Sequence, residues 1–190
     1  MARKRPPRKA AKELMSAHGI QVLKTELRME EQERDNWCWA AVAASLHNRK
    51  SRTNGDPGAK PLRQIDVAIR VFPEIGADPE KLDRTASLQT ALEKVGLFHS
   101  AMEGRAPFDE IVKEIQADRP ICARIVKDRD GDGVVEGAHF VAISGFGWID
   151  GVEHVQVEDP EGSTFIGPLA TFRDNYGKEW TWVATYFVKD

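Results

Sequence analysis

Residues 37–46 read Trp37-Cys38-Trp39-Ala40-Ala41-Val42-Ala43-Ala44-Ser45-Leu46. Their apolar side chains fall on nearly every side of a helix, which predicts a helix buried all round. Such a helix has to be covered by other elements, so it is expected at the centre of the domain. The polar stretch from Glu31 to Asn36 before it predicts a turn. Cys38 stands where turn becomes helix, so backbone N–H groups without intrahelical partners and the positive end of the helix dipole face its sulfur. Nucleophilic thiols cluster at helix N-termini close to an imidazole, whereas an inert cysteine normally lies in the middle of an element.

Upstream of the turn, a short helical pattern runs from about Ala10 to Gly19, and Leu23, Thr25, Leu27 and Met29 then alternate with Lys24, Glu26 and Arg28 as in a strand. Downstream, His47 to Pro61 is rich in Asn, Gly, Pro, Lys and Arg and predicts a long exposed loop. Three short helices follow. Ile65, Ala68, Ile69 and Phe72 mark the first, and Leu88, Ala91, Leu92 and Val95 the second, with Ser87 as its N-cap. Pro107 in a first-turn position, with Phe108, Ile111, Val112 and Ile115, marks the third. Beyond Pro120 the period changes to two, in four runs: Ile121 to Val126, His139 to Gly145, Val152 to Glu158 and Trp180 to Val188. Helices first and strands second, with hairpin-length links between the strands, predict an α+β domain with an antiparallel sheet packed against the helical part.

The chain has 190 residues, 41% hydrophobic, 30% charged and 8% aromatic, enough apolar mass for the core of one soluble domain. Two cysteines exclude a disulfide framework, and no Cys/His cluster offers a structural zinc site, so reduced thiols in a cytosol-like compartment are expected. No apolar run approaches the roughly 20 residues of a membrane span, and no secretory h-region follows the basic start. Arg3, Lys4, Arg5, Arg8, Lys9 and Lys12 precede the first acid, Glu13; without these six, 21 basic residues face 30 acidic ones, a balance of −9 against −3 for the whole chain. Residues 1–12, with two prolines, are therefore expected to be a disordered basic tail, and residues 13–190 a single domain. The mildly acidic body argues against a nucleic-acid-binding face and leaves only weak contact through the tail.

Gln32 lies six positions before Cys38, and the local string Gln-Glu-Arg-Asp-Asn-Trp-Cys-Trp-Ala-Ala resembles the entrance to a papain-like cysteine peptidase, in its smaller bacterial C39-like and AvrRpt2-like (C70-like) branches. In that clan a glutamine so placed offers its side-chain amide to the oxyanion hole, beside the backbone N–H of the nucleophile. The clan also needs a histidine at the start of a strand downstream. Gly137-Ala138-His139-Phe140-Val141-Ala142-Ile143-Ser144-Gly145 matches the Gly-x-His-φ-φ-φ-φ-x-Gly pattern of C39-like members, which makes His139 the candidate base. The small residues before it are expected to leave room for substrate, while Phe140 and Ala142 fill one face of an inner strand and Val141 and Ile143 the other. At the end of the next run, the Asp-Pro pair of Val155-Gln156-Val157-Glu158-Asp159-Pro160 resembles the C39-like third member, which assigns Asp159 to orient the imidazole.

The resemblance covers positions 32 to 160 and implies a papain-like fold and a thiol hydrolase that cleaves a peptide or isopeptide bond in a protein or peptide substrate, with no metal or organic cofactor. It further implies a stand-alone bacterial protein acting in a cytoplasm, its own or that of a cell into which it is injected. The same constellation serves deamidation and acyl transfer, and a papain-fold binding module without chemistry is the rival from another class. The remaining candidates have plainer readings. His18, His47, His99 and His154 lie in polar or loop contexts, and Cys122 alternates with Arg124 on a strand as a packing residue. Asp128-Arg129-Asp130-Gly131-Asp132-Gly133 matches the first half of a calcium loop, but position 12 falls on His139 instead of Glu, so a hairpin turn is expected. Trp180, Trp182, Ala184 and Tyr186 are expected on one packed face of the last strand.

Overall fold

The computed structural model of the chain describes residues 12–15, 21–55, 60–127 and 134–189. In chain order its elements are β1 (Lys12–Met15), β2 (Gln21–Lys24), α1 (Cys38–Thr53), α2 (Gln64–Val71), a 3-10 turn (Pro73–Ile75), α3 (Pro79–Leu82), α4 (Leu88–Lys94), β3 (Phe98–Glu103), α5 (Phe108–Gln116), β4 (Ile121–Lys127), β5 (Gly137–Ile149), β6 (Val152–Asp159), β7 (Ser163–Pro168), α6 (Leu169–Asn175) and β8 (Trp180–Val188). The strands form one eight-stranded sheet in the order β1-β2-β5-β4-β8-β3, with β6 on β5 and β7 on β6. Every pairing is antiparallel.

Two apolar cores cover the two faces of this sheet. On one, Trp39, Val42, Ala43 and Leu46 of α1 pack with Val67 and Ala68 of α2, Leu88 and Leu92 of α4, and Cys122, Phe140 and Ala142 of the sheet. Ala40, Ala41, Ala43 and Ala44 are fully buried, and their small side chains let neighbouring elements close on α1 from several sides. On the other face, Phe108, Ile111 and Ile115 of α5 and Leu169 and Phe172 of α6 meet Ile121, Ile125, Val141, Ile143, Val157 and Trp182. Each fully buried Leu, Ile or Phe contributes roughly 1.5–3 kcal/mol relative to exposure. Phe140 and Ala142 thus face one core and Val141 and Ile143 the other, as the period-two reading of that strand requires.

Several expectations are corrected. The helical pattern near Ala10 is instead β1, which pairs with β2. The loop expected from His47 is helical to Thr53, because two polar residues of α1 are buried with partners that periodicity cannot see. Asn48 accepts from Leu62 N (2.7 Å) and donates to Leu62 O (3.0 Å) and Glu30 Oε1 (2.8 Å), and the Arg49 guanidinium donates to Asp118 O (2.8 Å). The third predicted helix, α5, lies on the face opposite α1. Trp180 and Trp182 do not share a face with Ala184 and Tyr186: a bulge between the Arg124↔Ala184 and Ile125↔Trp182 pairs sends the tryptophans to the α6 side and Tyr186 to the α1 side. The tail up to Ala11, His18 and the calcium-like Asp128–Gly133 segment lie outside the described residues. No helix among the described residues is long and apolar enough to cross a membrane.

Candidate active site

Cys38 is the first residue of α1. The helix has no side-chain N-cap and no acid in its first turn, so the first-turn N–H groups are left to whatever lies before the sulfur. Two indoles fix this end: Trp37 Nε1 donates to Leu82 O (2.8 Å) and Trp39 Nε1 to Arg84 O (3.0 Å). Asp83 Oδ1 receives Asn36 N (3.0 Å), so the residues after α3 hold both the turn and the helix start. The thiol is buried but not sealed, with Cys38 8% exposed against 0% for Cys122.

His139 enters from β5. The β5–β6 ladder stops at Ala142↔Glu158, so the stretch of β5 carrying His139 runs on past the end of β6. Asp159, the last residue of β6, turns its carboxylate back to the imidazole: His139 Nε2 and Asp159 Oδ1 are 2.7 Å apart. The imidazole also interacts with the Cys38 thiol, by hydrogen bond and by charge. Burial alone would lower the His139 pKa, but hydrogen bonds to Asp159 and Cys38 and the charges of both groups outweigh it and raise it from 6.5 to about 10. Burial works against the Asp159 anion too, yet His139, the Glu161 N–H and the Tyr176 hydroxyl hold its pKa below the ordinary value. Trp180 covers the ring, with centroids 6.0 Å apart. The expectation that the small residues leave room for substrate fails at Gly137, where a Cβ would meet the Trp180 ring at 3.3 Å: the missing side chain makes room for the indole.

Gln32 is brought to the same end of the sheet, because its backbone N–H donates to Pro160 O (2.8 Å), directly after Asp159. Gln64 of α2 clasps the turn from the other side, accepting Glu33 N (3.0 Å) and donating to Glu31 O (2.7 Å). The Gln32 amide itself donates through Nε2 to Arg34 O and Asp35 O, both at 3.0 Å, while its Oε1 is buried without a partner.

Of the other candidates, Cys122 lies in mid-strand, and burial pushes its thiol up to about 12. His154 sits at the far end of the β5–β6 hairpin, its Nδ1 on Val152 O (2.9 Å); His99 is exposed; and burial lowers the pKa of His47 on α1. Ligand-type atoms of His139, Asp159 and Glu161 lie within 4.8 Å of one another, and His139 Nε2 is already bonded to Asp159 Oδ1. Tyr176 and Trp180 are the contributors to the site that sequence reasoning did not find. The i, i+3, i+7 spacing of Leu169, Phe172 and Tyr176 signals the helix that delivers Tyr176.

A family profile described as papain-like cysteine protease AvrRpt2 matches residues 21–177. No curated protein matches the chain significantly. Among solved structures, one from work on the mite allergens Blo t 1 and Der p 1 is similar with a TM-score of 0.57 at 12% identity, over 96% of this chain and 76% of that one. Xylellain, a cysteine protease from Xylella fastidiosa, gives 0.52 at 11% identity over 88% and 85%. Digestive procathepsin L 3 of the Tenebrio molitor larval midgut gives 0.53 at 9% identity over 97% and 74%. At these identities the likeness is one of fold.

Proposed function

The chain belongs to the AvrRpt2 family of papain-like cysteine proteases and is a protease with a protein substrate; we propose that Cys38, His139 and Asp159 are its catalytic triad and that Gln32 serves its oxyanion hole. One observation carries this reading: the His139 imidazole is bonded to the Asp159 carboxylate at 2.7 Å and also interacts with the thiol at the start of α1.

In the proposed reaction His139 takes the Cys38 proton, and the sulfur attacks the scissile carbonyl to give a tetrahedral oxyanion. The Cys38 backbone N–H, free of an intrahelical partner, and the Gln32 Nε2 donate to that oxygen. For Gln32 this means exchanging a neutral carbonyl acceptor for a charged one, which is the stronger hydrogen bond. His139 then protonates the leaving amine, and the thioester is hydrolysed by a water that the same imidazole deprotonates. Asp159 fixes the ring orientation and stabilises the imidazolium. Two free cysteines fit action in a reducing, cytoplasmic compartment, in a bacterial cell or one into which the protein is injected. The catalytic unit in this reading is residues 13–190, to which Lys12 adds the first residue of β1.

The test is cleavage of an unfolded protein such as casein by the wild type, Cys38→Ala and Cys122→Ala. Cys38→Ala is expected to lose at least about 10⁴-fold. Cys122→Ala should stay within about threefold of the wild type and lose about 1 kcal/mol of stability. Turnover that survives Cys38→Ala ends the reading.

A further inference from the structure

We infer that Tyr176 is a positioning residue: its phenol holds the second carboxylate oxygen of Asp159, so that the first stays aimed at His139. The inference rests on the triad reading and adds a member behind it. Asp159 Oδ1 is committed twice, to His139 Nε2 at 2.7 Å and to the Glu161 N–H at 2.8 Å. Oδ2 receives the Tyr176 hydroxyl at 2.7 Å. A carboxylate rotates easily about its terminal torsion. With both oxygens engaged from different directions, it cannot rotate without breaking a bond in a site where Asp159 is only 5% exposed.

Tyr176 is itself held. Its ring packs edge-on against Phe165 (5.6 Å, 81°) and Phe172 (5.5 Å, 81°). Ser163 reaches the same phenol oxygen from the start of β7. The backbone of Tyr176 is bridged to Trp180 by two bonds of 2.9 Å, closing a tight turn through Gly177 (φ 56°) and Lys178 (φ 75°). One turn therefore presents two contacts to the triad, the Tyr176 hydroxyl on the acid and the Trp180 indole on the imidazole. Lys127 secures its far side, paired with Glu179 and lying 5.8 Å from the Trp180 ring centroid.

The titratable groups around the pair are Cys38 from α1, His139 from β5, Glu161 from the turn after β6 and Tyr176 from the end of α6. Of these, the phenol is the group whose removal leaves every charge in place and frees the carboxylate to turn. A freed carboxylate bonds His139 less well, and the His139 pKa falls. Were the phenol only a donor that withdraws charge from Asp159, its loss would make the carboxylate a better acceptor and raise the His139 pKa instead.

The experiment is an NMR titration of the His139 ring in the full chain, comparing the wild type, Tyr176→Phe and, as a packing control in the same aromatic cluster, Phe165→Leu. In Tyr176→Phe the His139 midpoint is expected to drop by about one pH unit. Casein hydrolysis should lose about tenfold in kcat with KM unchanged, because the phenol is buried and acts through Asp159. Phe165→Leu, which keeps an apolar side chain against the ring and leaves the Tyr176 hydroxyl bond and backbone bridge in place, should leave the midpoint where it is. A Tyr176→Phe midpoint that is unchanged or raised, or a Phe165→Leu midpoint that drops as far, overturns the inference. The titration reads the His139–Asp159 pair whatever reaction is catalysed, so its outcome is separate from that of Cys38→Ala.

Discussion

The two cysteines are both buried and free and border the same apolar core, yet their polar surroundings differ. Cys122 lies in the middle of β4, hydrogen-bonded on both sides by β5 and β8, and burial without a compensating charge keeps its proton on. Cys38 lies at the end of an uncapped helix with an imidazole beside it, and that imidazole is held by a carboxylate on the next strand. The comparison teaches that burial alone makes a thiol inert. In the proposed reading, what makes one reactive is the helix end and the charged partner, supplied here by segments far apart in the chain.

Asp159 is the part of the Cys38 environment that Cys122 most clearly lacks, and removing it should bring the two sites closest together. Asp159→Ala is expected to cost about 10³-fold in kcat/KM. Asp159→Asn should cost much less, since an amide oxygen still accepts the His139 ring N–H. The pH profile sharpens the point. Against the effect of burial, the bonds to Asp159 and Cys38 push the His139 pKa up to about 10, so the imidazolium proposed to protonate the leaving group persists above neutrality, and kcat/KM should fall as pH rises through about 10. Asp159→Asn removes the charge that raises this pKa, so its alkaline limb should move to lower pH. An Asp159→Ala enzyme with wild-type rate and pH limits would show that another residue orients the ring.

A smaller effect is expected from Gln32→Ala, about 10²-fold in kcat. This is the low end for an oxyanion donor, because the amide gives up existing bonds to Arg34 O and Asp35 O when it turns to the oxyanion. Iodoacetamide alkylation of Cys38, which forms no oxyanion, should be unchanged. If both fall together, Gln32 supports the fold at the Pro160 contact instead.

The elements that bear Cys38 and His139 of the proposed triad were legible because each rests on a local pattern: an apolar helix after a polar turn for Cys38, and a period of two after a Gly-x-His for His139. What escaped depends on partners distant in sequence. Asn48 and Arg49 look like loop residues until Leu62 and Asp118 bind them inside the fold. The six residues of β3 carry no alternation, because its residues are exposed or half-buried along one edge of the sheet, beside β8. A bulge that no composition signals reversed the faces expected for the last strand. Tyr176 reads as one aromatic in a helical pattern, and its role appears only when the end of α6 meets the end of β6. The role of Gly137 likewise depends on Trp180, which lies across β4 on a strand that β5 does not pair with.

The central claim is that Cys38 and Cys122 differ in reactivity because of their partners. Limiting iodoacetamide at neutral pH on the folded full chain, followed by peptide mapping of both cysteines, tests it most directly. Carboxamidomethylation should appear at Cys38 with Cys122 unmodified, and His139→Ala should slow the Cys38 reaction. Labelling of Cys122 at a rate equal to or greater than that of Cys38 would contradict the account.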